Sequence, residues 1–280
     1  MKQDKKILEN TVDGAAPNIA TTDENLTVED IYGQLDVPSI GKQIFHNYTQ
    51  EGPTAAIFTL NRKSNSHLEI LRTEAICYDS DPINTGITKE TISDIETQFG
   101  LDARRIVAKM LKGLANEQEN EKTKEFLEAN AVSSGTLTLT NGENSKVIVE
   151  EIAQAVAEAI NEINASRLIT YKASAVLPAK YASSFSIRNK DFFELDGYLA
   201  GRQAHVNYYV DPDVTNTDTI YVTLHDADKS GGFFSSYTND IFFVVDPVTG
   251  AENAFIYNRF AITASPAHTI NPRIKKITIA

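Results

Sequence analysis

The side chains best suited to chemistry in this chain are its histidines, its single cysteine and its carboxylates. The five histidines are scattered and include no His-Glu-x-x-His pair: His46, His67, His205, His225 and His268. The segment His225-Asp226-Ala227-Asp228 has the composition of a metal site, but acidic turns after a strand are commonly just solvated. Cys77 ends an apolar strand, where we expect a small buried side chain and not a thiolate nucleophile.

Two glycine-containing segments fail as ligand-binding loops. A phosphate loop ending in Gly41-Lys42 would need a glycine where Asp36 stands and a Ser or Thr where Gln43 stands. Gly231-Gly232 lacks the dinucleotide-binding spacing and lies among strands, so we expect a structural turn. No Gly-x-Ser-x-Gly elbow is present. An acid/base pair among the many carboxylates stays open, but no specific signature supports an enzyme. We therefore expect no catalytic, cofactor-binding or metal-binding residue.

The composition restricts the class of protein further. The 280 residues carry a formal net charge of -12, with a pI near 4.9. This charge argues against a protein that binds nucleic acid through its phosphates, but not against a container that holds DNA by enclosure. No run of 18 apolar residues predicts a membrane span, and the charged N-terminus is followed by no apolar segment, so we expect no secretory signal. One cysteine cannot form an internal disulfide, which fits a reducing cytoplasm.

The N-terminal quarter of the sequence predicts an arm and a long hairpin. Residues 1–35 are polar and acidic and cannot bury enough apolar area to fold alone. Residues 36–50 carry apolar side chains at a loosely helical spacing. After Gly52-Pro53, an extended run at 55–60, a polar tip and a returning strand at 68–76 are typical of two paired strands.

The centre of the chain predicts two helices. The first runs from Thr88, a plausible N-cap, to about Asn130, with a kink or a break at Gly100 and a second cap at Asp102. Its expected apolar positions are Ile92, Ile95, Phe99, Ile106, Met110 and Leu114. The second helix, over about 146–166, has an apolar face of Val149, Ile152, Val156, Ile160 and Ile163.

The remaining periodic segments predict strands at 137–139, 174–177, 205–210, 219–224, 241–245, 255–263 and 274–279. Strands before, between and after two main helices make the predicted class α+β.

Four segments, in this order, carry a family resemblance. They are 37–45 leading to Gly52-Pro53 and the apolar strand before Arg62; 95–102 with Gly100-Leu101-Asp102; 199–201 leading to Tyr209-Val210-Asp211-Pro212; and Gly231-Gly232-Phe233-Phe234-Ser235-Ser236-Tyr237 followed by Asp246-Pro247. Together they resemble the major capsid proteins of T-even-type myoviruses, which are tailed bacteriophages. The chain is shorter than the large members of that family and lacks the domain inserted in their extended loop. It shows no cleavage site for a prohead protease.

The resemblance implies a Hong Kong 97-like capsid fold with peripheral and axial domains. Its expected parts are an N-terminal arm at 1–35, an arm-to-loop connection at 36–53, an extended hairpin loop at 54–80, a peripheral domain with a spine helix at 81–145, an axial domain at 146–240 and a return to the peripheral domain at 241–280.

The implied function is a structural major capsid protein that self-assembles into the icosahedral head shell around double-stranded phage DNA. Its expected partners are copies of itself, in hexamers and pentamers, and vertex, portal, scaffold and decoration proteins. It would enclose DNA without sequence-specific binding, contact no membrane, need no cofactor, and belong to the virion after assembly in the host cytoplasm. The alternatives are a vertex (pentamer) capsid protein of the same lineage and, from a different class, a cellular enzyme or a nanocompartment shell protein.

The predicted hairpin supplies the candidate contact residues. A lone two-stranded hairpin is marginal in water, so it needs a partner surface, and the polar arm has the same need. We therefore expect intersubunit contacts from the arm and from the loop tip at Arg62, Lys63, Asn65, Ser66 and His67.

Overall fold

The computed structural model describes residues 37–64, 67–78, 82–99, 102–140, 145–163, 172–188, 199–203, 206–213, 215–225, 230–238, 240–268 and 270–280. Its elements, in chain order, are α1 (Ile40–Ile44), β1 (His46–Thr49), β2 (Thr54–Ser64), β3 (His67–Ile76), β4 (Ile83–Ile87), α2 (Lys89–Phe99), α3 (Ala103–Asn130), β5 (Val132–Leu137), α4 (Ser145–Ile163), β6 (Ala173–Leu177), α5 (Ala179–Arg188), β7 (Leu199–Gln203), β8 (Val206–Val210), β9 (Thr219–Leu224), β10 (Gly232–Thr238), β11 (Ile241–Val245), β12 (Glu252–Ile256), β13 (Arg259–Ala264), a short 3-10 helix (Pro266–His268) and β14 (Ile274–Ile279). This mixture of helices and sheets confirms the predicted α+β class.

The chain divides into two compact units. The first takes its elements from Asp81–Asn116 and Asn239–Asn258, and the second from Pro38–Ser80, Glu117–Thr238 and Arg259–Ala280. The arm, loop, peripheral and axial boundaries implied by the family resemblance stay a prediction. No helix among the described residues is both long enough and apolar enough to cross a membrane.

The first unit is a small antiparallel sheet covered on one face by helices. Its strand order is β11-β12-β4. Ala254 and Ile256 of the central strand pack with the stripe of α3 that comprises Ala103, Val107, Leu111 and Ala115. The two predicted caps are confirmed, because the Thr88 hydroxyl accepts the backbone N–H of Thr91 and Asp102 accepts that of Arg105, each at 3.2 Å.

The predicted register of this helix is wrong. Ile106 and Met110 are only half-buried and Leu114 is exposed, whereas the neighbouring stripe through Val107 and Leu111 is buried. Both stripes repeat at four-residue spacing, so periodicity alone did not separate them. The buried stripe has alanine at either end, and that small side chain contributes little to an apolar count.

The second unit is built on a six-stranded mixed sheet of order β5-β14-β9-β6-β8-β7. Helices α4 and α5 pack with it in one apolar cluster that includes Ile152, Val156, Phe185 and Tyr208. The predicted apolar face of α4 is confirmed, since Ile152, Val156 and Ile163 are buried and Val149 and Ile160 lie partly buried at the margins of clusters. The predicted helix end at 164–166 lies outside the described residues.

A three-stranded sheet, β1-β10-β13, completes the second unit, together with α1 and the second half of α3. Sequence reasoning missed β1, β4, β7, β10 and α5. It also placed β5 too late in the chain and took 255–263 as one strand. That run is interrupted before β13, where buried Asn258 donates a hydrogen bond to the carbonyl of Ala115 at 2.9 Å.

Candidate intersubunit contact site

The long hairpin predicted from the sequence is present. Strands β2 and β3 are antiparallel and in register from Thr54 opposite Ile76 to Ser64 opposite His67, with one irregularity near the tip. Since side chains alternate between the two faces of a strand, the hairpin has an inner and an outer face.

Side chains on the inner face pack the base of the hairpin against its own subunit. Ile57 and Ala75 are buried with Cys77, Phe233 and Ala261 in one cluster. Just after the hairpin, the chain lies beside β13, where the backbone N–H of Tyr78 donates a hydrogen bond to the carbonyl of Phe260 at 2.7 Å. The base is therefore part of the second unit's core.

Gln50 and Cys77 close the base of the hairpin. The buried thiol donates to Oε1 of Gln50 at 2.8 Å, and Nε2 of Gln50 donates to the carbonyl of Ala75 at 3.3 Å. The backbone N–H of Gln50 donates to Ser236 on β10 at 3.4 Å. This confirms the prediction of a small buried side chain at Cys77.

The outer face of the hairpin is apolar and exposed. Phe58, Ile70 and Ile76 are 61%, 69% and 62% exposed. Between them, Arg72 and Glu74 form an ion pair of 2.6 Å, with both side chains mostly in solvent, and such a pair contributes little to stability. An exposed apolar surface on a two-stranded hairpin marks it as a candidate protein contact. We call Phe58, Ile70 and Ile76 the outer hairpin face.

Only the backbone is described for three of the predicted contact residues. Arg62 pairs with Leu68 and Ser64 pairs with His67, while Lys63 lies in the same strand. Asn65 and Ser66, like the arm at 1–35, lie outside the described residues, so their contacts stay a prediction. The outer hairpin face was missed, although alternation along 68–76 carried the signal.

The Gly41-Lys42 segment lies in α1, packed on α3. A Cβ added at Gly41 would lie 2.5 Å from Oγ1 of Thr123, so only glycine permits this approach. Nζ of Lys42 donates a hydrogen bond to Oε1 of Glu119 at 2.9 Å. It also lies 2.8 Å from Oε2 of Glu119, close enough for an ion pair but without hydrogen-bond geometry. Glu119 is fully buried, so Lys42 serves as its counter-ion.

An acidic loop follows β8. Burial raises the pKa of Asp211, whose carboxylate accepts hydrogen bonds from Asn216 and from the backbone of Asp213. Lys124, 2.5 Å from Asp213, lowers the pKa of that carboxyl to about 2. These contacts close the loop. Among the described residues no group of three or more His, Cys, Asp or Glu is arranged to hold a metal ion; Asp226 and Asp228 lie outside them.

His268 is a buried histidine of the second unit. Its Nδ1 accepts the backbone N–H of Arg273 at 3.0 Å, so the neutral ring donates from Nε2 to the carbonyl of Asn130 at 3.1 Å. Burial lowers the pKa of His268, and Arg273 acts in the same direction. The ring therefore has a structural position between α3 and the approach to β14.

The fold is shared with phage capsid subunits. Solved structures similar to it include the capsid of the cyanophage P-SCSP1u (TM-score 0.57, 10% identity, covering 96% of this chain and 94% of that chain) and the capsid of Myoviridae phage XM1 (0.53, 9%, 96% and 100%). A virus-like particle from Pyrococcus furiosus is also similar (0.51, 12%, 90% and 95%). No protein-family model and no curated protein matches the sequence. Capsid subunits are structural proteins and not enzymes.

Proposed function

We propose that this chain is the major capsid protein of a tailed phage and self-assembles into the head shell that encloses double-stranded DNA. The observation that carries the proposal is the likeness to capsid subunits over nearly the whole of both chains. The T-even-type myovirus lineage, the Hong Kong 97-like fold and the hexamer and pentamer capsomers belong to this proposal through the sequence resemblance.

The outer hairpin face supports assembly as the activity. Burying one large apolar side chain contributes roughly 1.5–3 kcal/mol, so this face alone would give a modest contact. A closed shell repeats each contact many times, and a subunit leaves only when several break together. A net charge of -12 suits a wall that must not bind the DNA it surrounds.

A shell without viral DNA is the second candidate, because the virus-like particle from Pyrococcus furiosus has a similar fold. A vertex protein of the phage lineage is the third. Electron microscopy of the purified protein separates the first from the third by sixfold or fivefold capsomers. Nuclease-protected DNA in particles from infected cells supports the phage head, whereas particles filled with protein support the second candidate.

Loss of the outer hairpin face should block assembly and leave folding intact. We expect Phe58→Ser/Ile70→Ser subunits to melt as the parent does and to stay unassembled in sedimentation and micrographs. Ile270→Ser is the matched control, because Ile270 is 58% exposed in a turn outside the hairpin. Deleting 62–70 tests the tip in the same way. Normal particles from both hairpin variants would contradict the role of the hairpin in assembly.

A further inference from the structure

Strand β11 is an edge strand without the usual protection. It pairs regularly with β12 on one side and, among the described residues, with no strand on the other. Its sequence, from Ile241 to Val245, contains no charge, proline or glycine. Phe242 and Val244 are 50% and 54% exposed. Natural proteins avoid exposed apolar edges because such edges pair with other chains.

Four other outer strands in the described chain are guarded. β1 has only four residues, β4 contains Gly86, and β7 contains Gly201 and Arg202. β5 contains Gly135, with a φ of 139°, beside an irregularity in its pairing with β14. Unlike these four strands, β11 has nothing in its sequence or pairing that hinders the addition of another strand.

The outer edge of β2 is the second unguarded edge. β2 pairs with β3 alone in the part of the chain that the structure describes, and its eleven residues contain no proline or glycine. It carries exposed Phe58 and ends near two positive charges, Arg62 and Lys63. β11 is instead flanked by two aspartates, Asp240 and Asp246.

We propose that β2 of one subunit pairs antiparallel with β11 of a second copy of this chain, joining the hairpin and the first unit's sheet into one sheet. This inference rests on the proposed function and names the surface that receives the hairpin. The pairing sets Phe58 opposite Val244, position 60 opposite Phe242, and Arg62 opposite Asp240. Apolar residues then continue the outer hairpin face across both subunits.

The charges favour this direction and this partner. Asp246 is engaged in its own turn, where it accepts the backbone N–H of Val248 at 2.9 Å and the hydroxyl of Thr249 at 2.6 Å. Asp240 is exposed and forms no hydrogen bond or ion pair with the residues described, so it is the aspartate available to Arg62. In the symmetric register centred on Phe243, antiparallel pairing of β11 with itself would instead oppose Asp240 and Asp246 twice, and like charges directly opposite are destabilising.

Disulfide trapping tests the pairing. Phe58→Cys and Val244→Cys chains, each with Cys77→Ser and only one of them tagged, are co-assembled and oxidised. Directly opposite residues in an antiparallel pair have Cβ atoms about 4.5–5.5 Å apart, close to disulfide geometry. We expect a tagged–untagged dimer as the main product, necessarily between two chains. Ile76→Cys with Val244→Cys is the control, since Ile76 lies on β3, about 13 Å closer to the base than the level of Phe58.

Each result has one meaning. If particles form but Phe58→Cys and Val244→Cys chains give no more disulfide-linked dimer than the Ile76→Cys control, the pairing is overturned. The proposed shell function is unaffected by that result. If the Val244→Cys chain alone forms disulfide-linked dimers in the particles, the pairing of β2 with β11 is overturned in favour of β11 pairing with itself. If the cysteine chains do not assemble, hydrogen exchange on parent particles decides: joint protection of 58–62 and 240–245 on assembly supports the pairing, and its absence overturns it. A parent that never forms particles refutes the proposed function itself.

Discussion

Replacing Lys42 by methionine should destabilise the second unit far more than its position on a short helix suggests. The substitution keeps the approximate length and apolar stem of the side chain and removes the ammonium group, with its charge and its hydrogen bond to Glu119. Glu119, fully buried on α3, then loses the counter-ion that contacts both of its carboxylate oxygens at 2.8–2.9 Å.

The size of the effect follows from distance and exposure. Two unit charges 2.9 Å apart attract by about 6 kcal/mol at an effective dielectric constant near 20. Removing one partner of a fully buried pair typically costs about 3–5 kcal/mol, because the other charge stays uncompensated. Lys42 is 34% exposed, so water screens part of this attraction, and we expect a loss of about 2–3 kcal/mol. In a chain of this size, that corresponds to a melting temperature roughly 5 °C lower.

Lys122→Met is the matched control, measured by thermal and urea unfolding of unassembled subunits. Lys122 lies 2.7 Å from Glu125, but both side chains are solvent-exposed, so we expect a change within about 0.5 kcal/mol. Adding Glu119→Gln to Lys42→Met should restore most of the loss, because no buried charge remains. Equal effects of the two lysine substitutions would refute the argument.

Three further predictions concern the interior. Leu111→Asp should abolish soluble protein while Met110→Asp is milder, and expression and melting of the two variants check the corrected register of α3. The lowered pKa of His268 means that the unfolded chain takes up the proton first, so its contribution is intact above about pH 6.5 and declines as pH falls. Urea unfolding at pH 7.5 and 5.5 should show that decline in the parent and a smaller one in His268→Gln. Gly41→Ala should cost about 1–3 kcal/mol, because its Cβ would lie 2.5 Å from Oγ1 of Thr123; an unchanged urea midpoint would show that α1 can shift.

Local signals made part of the fold predictable. The hairpin has alternating residues on both sides of a polar turn, and the helix break between α2 and α3 has Gly100 followed by the Asp102 cap. The face of α4 is a single wide stripe. In each case the determining interactions lie within a few residues of one another.

Pairings between distant segments were not predictable from one sequence. β1 is a strand because His46 to Thr49 lie beside β10, and nothing in those four residues indicates it. Similarly, the run from Ile241 to Val245 is apolar throughout, so the sequence does not separate its buried face from its exposed one. The exposed face of β11 was therefore visible only in the structure.

The strand pairings also bear on how quickly the protein folds. His46 pairs with Phe233 and Val132 with Lys275, so the three-stranded and the six-stranded sheet of the second unit each join segments far apart in the chain. Such loops cost entropy before any contact offsets it, and chains of this topology fold slowly through partly structured intermediates. An incompletely folded chain that exposes β11 or β2 offers a strand edge that can pair with the wrong strand of another nascent chain. Rapid synthesis of many copies should therefore favour aggregation, and slower expression or added chaperonin should increase the yield of soluble subunits.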